Sequence, residues 1–519
     1  MRSGKLQLPG IRRKPTSGKI DTATVIAVGS LLVLGALILL LLPRRPTSKS
    51  GQNLLVYCAA GIKPPVEAVA RAYEKESGVR IQLQFGGSGT LLSNLRVAKA
   101  GDLFLAADES YIQTARGFGL LAETIPLARQ KPVILVARGN PKKILGVADL
   151  LRDDVRVSLA NPDAASIGRT TRAILQQTKQ WEKLEKHATV FKPTVNDVAN
   201  DVKIGAVDAG IVWDATAQQY PDLTSVTQPL LDAAAETITV GVLQCSTQPT
   251  AALRFARYLA ARDRGQPLFA QHHFTTVDGD AWAMTPELVL FSGAMLRPGV
   301  EKTLKEFEER EGVRFTTVYN GCGILCAQMR AGERPDAYFS CDSSFMKSVI
   351  DLYLEPVDVV DNNLMLLVAK GNPLKILTPE DLLRPGLRVG LPHHEKSAMG
   401  NIAWKMLTGL GVYDKLGDNL KVESPTGDFL VNQLRTGSLD VIIACRSNWT
   451  GVRESLDGIP IDQPLAHMTQ PYAVGKSSRY PQLMTRLRDT ITSAESRQRF
   501  EGAGFGWRYS KPAHPCGCN

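Results

Sequence analysis

After Leu42 the sequence has no long run that is both uncharged and apolar, so no later segment is expected to cross a membrane as a helix. The later chain is also short of net charge. Residues 1–50 carry nine Lys and Arg against the single Asp21, which is +8 of the formal +10 at pH 7 and leaves about +2 for everything that follows. The basic balance therefore belongs to the N-terminus, and a nucleic-acid surface on the bulk of the chain is excluded. Catalytic signatures are missing too: there is no nucleophile elbow, no His-Glu-x-x-His and no full phosphate-binding loop, so binding and not catalysis is expected. A chain of 519 residues with 44% apolar composition can bury several cores without disulfides. Its eight Cys are accordingly read by position and not as a stabilising framework.

The one apolar run that is present, "ATVIAVGSLLVLGALILLLL" over residues 23–42, is long enough for a membrane helix. A cleaved signal peptide is the alternative, but Pro43-Arg44-Arg45 follows where small residues would mark cleavage. Arg2, Lys5, Arg12, Arg13, Lys14 and Lys19 precede the run and keep residues 1–22 cytoplasmic, with 43–52 as a linker. The expectation is a single-pass inner-membrane protein with its bulk outside the cytoplasm.

That bulk is written twice. "VEAVARAYEKESGVRIQLQFGGSG" from Val66 pairs with "VEKTLKEFEEREGVRFTTVYNGCG" from Val300 at an offset of 234. "LVARGNPKKILGVADLL" around Gly139 pairs with "LVAKGNPLKILTPEDLL" around Gly371, and Asp208 pairs with Asp440, both at an offset of 232. Residues 53–280 and 286–510 are thus two copies of one unit, followed by a tail over 511–519. Within the first copy "NLLVYCAA" and "VRIQLQF" read as strands, and "PVEAVARAYEKESG" and "GTLLSNLRVAKAG" as helices. This β-α-β-α order predicts an α/β fold with a parallel sheet, in which ligands sit beyond the carboxyl ends of the strands.

The loop "FGGSG" lies between such a strand and a helix, where Gly87 and its neighbours allow close backbone approach and the helix offers unpaired N–H groups to an anion. No Lys or Arg follows, so its donors, Ser88 included, would be neutral. A plain turn is the alternative. Asp102, Asp108, Asp336 and Asp342 are expected to cap helices or hold strand ends and not to form acid/base pairs.

The run of "VYCAAG", "VRIQLQFGGSGTL", "GDLFLAADESYI", "ANPDAASIGR" and "GAVDAGIVWDAT" resembles the periplasmic molybdate-binding proteins of ABC transporters over nearly all of residues 53–280. The resemblance implies two tandem type II periplasmic-binding units, each with two α/β lobes and a hinge. It implies Ala60, Gly61, Gly87, Ser88, Ala107, Ser166, Ile167, Val195 and Trp213 as ligand-binding positions, with molybdate, tungstate or sulfate as ligand and an ABC permease as partner. Two departures stand out. Gly61 replaces a usual Ser, and Trp213 replaces a usual Tyr, so one hydroxyl donor is lost and the closing ring can donate but not accept.

In the second copy Ser88 becomes Cys322, Ala107 becomes Cys341, Trp213 becomes Cys445, and Gly61 is matched to Ala294. Cys326 lies one helical turn beyond Cys322, and "HHEKSAMG" brings His393 and His394 toward the same loops. No cofactor is required by this reading. Three outcomes stay open for Cys322, Cys341, Cys445, His393 and His394: a soft-metal site for Zn or Cu(I), a disulfide among the thiols, or inert packing. Cys58 and Cys245 read as structural, while His514, Cys516 and Cys518 form either a metal-capable or a redox-prone tail. The leading function is extracytoplasmic capture of an oxyanion for transport. The alternative is a sensor or metal-binding module, for which residues 1–22 are too short to supply a cytoplasmic output domain.

Overall fold

The computed structural model describes residues 53–510. The basic segment, the apolar run at 23–42, the linker and the Cys-containing tail lie outside the described residues. Among the described residues no helix is long and apolar enough to cross a membrane.

The first unit starts as its pattern demands. Asn53–Ala59 is a strand, and Lys63–Ser77 is a helix whose buried Val66, Val69, Ala70 and Tyr73 recur at helical spacing on one face. Burying each large side chain of that set stabilises the lobe by about 1.5–3 kcal/mol. Gly78 ends the helix in the left-handed region at φ 74°, where a side chain would strain the backbone. Asn53–Ala59 then pairs in parallel with Arg80–Gly86 on one side and Leu103–Ala106 on the other. The sheet is not wholly parallel, however. Glu236–Leu243 returns from the far lobe and runs antiparallel between Leu103–Ala106 and Leu121–Gln130, because a chain that leaves one lobe and comes back re-enters in the opposite sense. The far lobe is a mixed five-stranded sheet with Ala209–Trp213 at its centre, between Val157–Ala160 and Pro132–Ala137.

The second unit repeats this plan with one difference. Its two lobes share a continuous strand, Val357–Ala369, which pairs with His467–Val474 at one end and with Val441–Cys445 at the other, so ten strands form one connected sheet. In the first unit the corresponding crossing is broken at Lys131, between Leu121–Gln130 and Pro132–Ala137. Pro132, opposite Trp213, has no N–H to give to a ladder, whereas Leu364, opposite Cys445, has one. One proline thus separates two hinge constructions.

The two units pack on each other through the helices Pro249–Ala260, Arg297–Glu311 and Pro481–Ile491. Glu311, 1% exposed, accepts from Arg486 at 2.7 and 3.0 Å and from Arg257 at 3.4 Å. Asp280, at the junction, accepts from the backbone N–H groups of Gln482 and Leu483 at 2.8 and 3.0 Å. Trp282 donates its indole N–H to Glu76 at 2.8 Å. The junction is therefore tied to both units.

Candidate functional site

Ser88 opens the helix Ser88–Ala98 on one lobe, and Ser166 opens the helix Ser166–Gln177 on the other. The two hydroxyls meet across the crevice: Ser166 Oγ donates to Ser88 Oγ at 2.8 Å, and the Ala107 N–H donates to Ser88 Oγ at 3.2 Å. A third helix, Val195–Lys203, begins beside them at its cap Thr194. Three positive helix ends and two hydroxyls thus point at one place, which is the equipment a small anion needs.

All nine positions implied by the resemblance line this crevice, together with Ala59, Gly86, Ala165 and Thr194. Those four were missed because they carry no donor of a distinctive kind; only Thr194, just ahead of a helix, left a trace in the sequence. No charged side chain is among the lining residues. The free space is small, about 10 Å³, because the lobes touch. Gly89 N–H donates to the Ala164 carbonyl at 2.9 Å across the crevice, and a Cβ placed on Gly61 would sit 2.8 Å from Val195. Gly61 is therefore required by the close approach of the far lobe, whatever hydroxyl it forgoes. The hydroxyl of the fully buried Thr216 has no partner and lies 3.5 Å from the same Cβ position, a spare polar group at the crevice wall.

A much larger cleft, about 640 Å³, lies between the units along Glu123, Arg310, Glu311 and Arg486. The four charges named pair with one another, Arg310 with Glu123 at 2.7 Å and Arg486 with Glu311 at 2.7 Å, so size does not make it the site.

The four aspartates serve the backbone. Asp108 and Asp342 accept from the N–H groups of Tyr111 and Ser344 as helix caps, at 3.0 and 2.8 Å, and Asp102 and Asp336 accept from the N–H groups of Leu55 and Val289, both at 2.8 Å. Burial raises the Asp108 carboxyl above the usual range. Glu236 is pushed up to about 7, first by burial and then by the charge of Asp108. The proton is held more tightly in the fold than in the unfolded chain, so Glu236 stabilises less as pH rises from 4.5 toward 7 and its cost is complete above that. Glu236→Gln should raise stability at pH 8 by about 2 kcal/mol and leave it nearly unchanged at pH 4. Denaturant unfolding at the two pH values checks this; an equal effect at both would show that Glu236 is not protonated by the fold.

In the second unit the equivalent crevice is built from sulfur. The Cys341 N–H donates to Cys322 Sγ at 3.1 Å, as Ala107 does to Ser88. Burial alone would raise Cys322, yet hydrogen bonds from Cys341, Tyr338 and Ser340 outweigh it and hold that thiol below its ordinary range. Cys341 is pushed well above, first by its bond to Cys322 and then by burial. Cys445 Sγ lies 3.4 Å from Met399 Sδ.

Three sequence assignments need correction or narrowing. Gly61 corresponds to Met295 and Ala60 to Ala294, because the strands Asn53–Ala59 and Glu287–Gly293 pair in register with Arg80–Gly86 and Arg314–Asn320 at a constant offset. His393 and His394 do not join the thiols. They hold the places of Asn161 and Pro162, outside the crevice, where their rings stack on each other at 5.2 Å and His394 packs on Trp404. Cys326 turns to Ser348 and the Phe345 carbonyl. Among the described residues no three His, Cys, Asp or Glu are grouped for a metal, and the six described Cys are free.

A model of the bacterial extracellular solute-binding protein family matches residues 54–275 and again 288–506. The molybdate-binding protein ModA of Mycobacterium bovis is 28% identical over 222 residues, which are 42% of this chain and 83% of that protein. Among solved structures, the periplasmic molybdate-binding protein of Azotobacter vinelandii is 16% identical with a TM-score of 0.38, over 43% of this chain and 100% of that one. The sulfate-binding protein SubI of Mycobacterium tuberculosis is 18% identical with a TM-score of 0.37, over 42% and 86%. The chain belongs to the bacterial extracellular solute-binding protein family and carries that family's unit twice in tandem.

Proposed function

We propose that the first unit captures molybdate or a related tetrahedral oxyanion outside the cytoplasm, held at the membrane by residues 23–42, and delivers it to an ABC permease. The observation that carries this reading is the Ser88–Ser166 contact, in which one hydroxyl from each lobe, each at a helix N-terminus, is spent on the other. An anion entering the crevice gives both hydroxyls a better acceptor and is satisfied only when the lobes are together, which couples binding to closure. The reading is one of binding, supported by the solute-binding family to which the chain belongs and by a crevice lined with neutral donors. Molybdate-binding relatives favour molybdate over sulfate as the first ligand to test.

Ser88→Ala should weaken the bound anion by about 1–3 kcal/mol, the cost of removing one partner of a hydrogen bond to a charged group. Because the donors carry no net charge, that loss should be nearly independent of ionic strength. Equilibrium dialysis with labelled molybdate checks both statements. Unchanged affinity in Ser88→Ala and Ser166→Ala together would remove the crevice from consideration.

A further inference from the structure

Five crevice positions in the first unit, Gly61, Ser88, Ala107, Ile167 and Trp213, are occupied in the second by Met295, Cys322, Cys341, Met399 and Cys445. Every one gains a sulfur, in a chain with only eight Cys and ten Met among 519 residues. Met295 enters where the first unit has room for no side chain; Cys445 and Gly427 are smaller than the Trp213 and Val195 they replace, and Asn448, in the place of Thr216, packs against Gly427. A packing explanation accounts for small or apolar residues here, but not for sulfur at five positions drawn from five separate loops.

We propose that the crevice of the second unit is a site for a soft monovalent cation, Cu(I) by chemical class, held by the thiolates of Cys322, Cys341 and Cys445 with thioether support from Met399 and Met295.

The sulfurs stand in two groups, and no three of the thiols form a cage as the lobes stand, so the ion would have to draw the groups together. Cys322 and Cys341 crowd the same side of Gly293, where a Cβ would lie 3.3 and 2.0 Å from their sulfurs, and Cys445 rests on Met399. Cys322, Cys341 and Met295 come from one lobe, Cys445 and Met399 from the other, so an ion between them would clamp the lobes as an anion does in the first unit. All five are buried, at 7% exposure or less, which keeps water from competing. Thiolate suits both Zn and Cu(I), but the two thioethers are soft donors that favour Cu(I), and His393 and His394, which a Zn site could use to complete its four ligands, stand outside. Each thiol that binds gives its proton to solvent as the sulfur–metal bond forms, and no change of oxidation state is involved.

The test uses the reduced full-length chain in mild detergent, carrying Cys516→Ser and Cys518→Ser so that the tail cannot bind. Cu(I) is titrated anaerobically against a chromophoric Cu(I) chelator. The expected result is one Cu(I) per chain held against the chelator, with Cys322→Ser and Met399→Leu each lowering retention by roughly tenfold or more. Met399→Leu preserves volume, so its loss of retention with an unchanged circular dichroism spectrum separates ligation from folding. Ser88→Ala should leave retention unchanged, which distinguishes this site from the anion crevice of the first unit. Four results would overturn the proposal: no Cu(I) retained; retention indifferent to Cys322→Ser and Met399→Leu; Zn held in preference to Cu(I); or a Cys322–Cys341 disulfide whose reduction creates no affinity for Cu(I).

Discussion

Glu311→Gln is expected to lower the unfolding free energy by about 3–5 kcal/mol and to split one cooperative transition into two. The carboxylate is buried between Arg257 and Arg486, the first at 5% exposure, and both guanidiniums lose their counter-charge at once. Arg257 is especially exposed to that loss, since its Nε and one terminal nitrogen already lack partners and burial pulls its pKa down to about 10. Burial would raise the Glu311 carboxyl, but the charge of Arg486, its hydrogen bond and then Arg257 outweigh it and hold the group below the usual range. The stabilisation is therefore present above the ordinary carboxylate range and is lost as pH falls through the depressed value. Because this triad spans the two units, urea unfolding followed in each unit by a separate fluorophore should show them melting apart in the variant. A loss below about 1 kcal/mol would mean that apolar contacts between the helices hold the units together and that the triad is incidental.

The second large effect concerns closure. A Cβ on Gly87 would lie 2.3 Å from the Ala164 carbonyl oxygen and 2.6 Å from that of Pro193, both on the opposite lobe. Gly87 itself has φ −68° and ψ 144°, so alanine costs the backbone nothing and the clash acts only when the lobes meet. Gly87→Ala should hold the lobes apart, reduce oxyanion affinity by about 100-fold, some 3 kcal/mol, and leave the melting of the ligand-free protein nearly unchanged. Small-angle scattering should show no contraction when the anion is added. The second unit makes the same approach, with Gly321 against the Lys396 and Pro425 carbonyls at 2.3 and 2.8 Å, so Gly321→Ala offers the parallel test there. Affinity within threefold of the parent for Gly87→Ala would place the ligand outside the interlobe crevice.

The duplication, the order of strands and helices and the membership of the first crevice were legible because they rest on local pattern: periodic apolar residues, Gly78 as a stop signal, and Gly-rich loops between strand and helix. What escaped depends on partners far away in sequence. The antiparallel return strand Glu236–Leu243 reads like any buried strand until its neighbours are known. The Arg257–Glu311–Arg486 triad looks like ordinary surface charge on three amphipathic helices. The sequence alone aligns Gly61 with Ala294; the strand register moves the match by one residue to Met295 and so brings a sulfur to the crevice. The loop that carries His393 and His394 is the right one, but its turn ends three residues ahead of the crevice lining and aims its side chains elsewhere. Asp102, Asp108, Asp336 and Asp342 were read correctly as backbone partners, since their positions beside strand and helix ends are local.

The most direct test of the account is calorimetric titration of residues 51–519, reduced, with molybdate, tungstate, sulfate and phosphate in turn. The account predicts saturable one-to-one heat with at least one of these tetrahedral anions, molybdate foremost, persisting in added monovalent salt and greatly weakened in Gly87→Ala. No saturable heat with any of the four, or heat that salt abolishes and Gly87→Ala leaves intact, would contradict an oxyanion held by neutral donors between the lobes of the first unit.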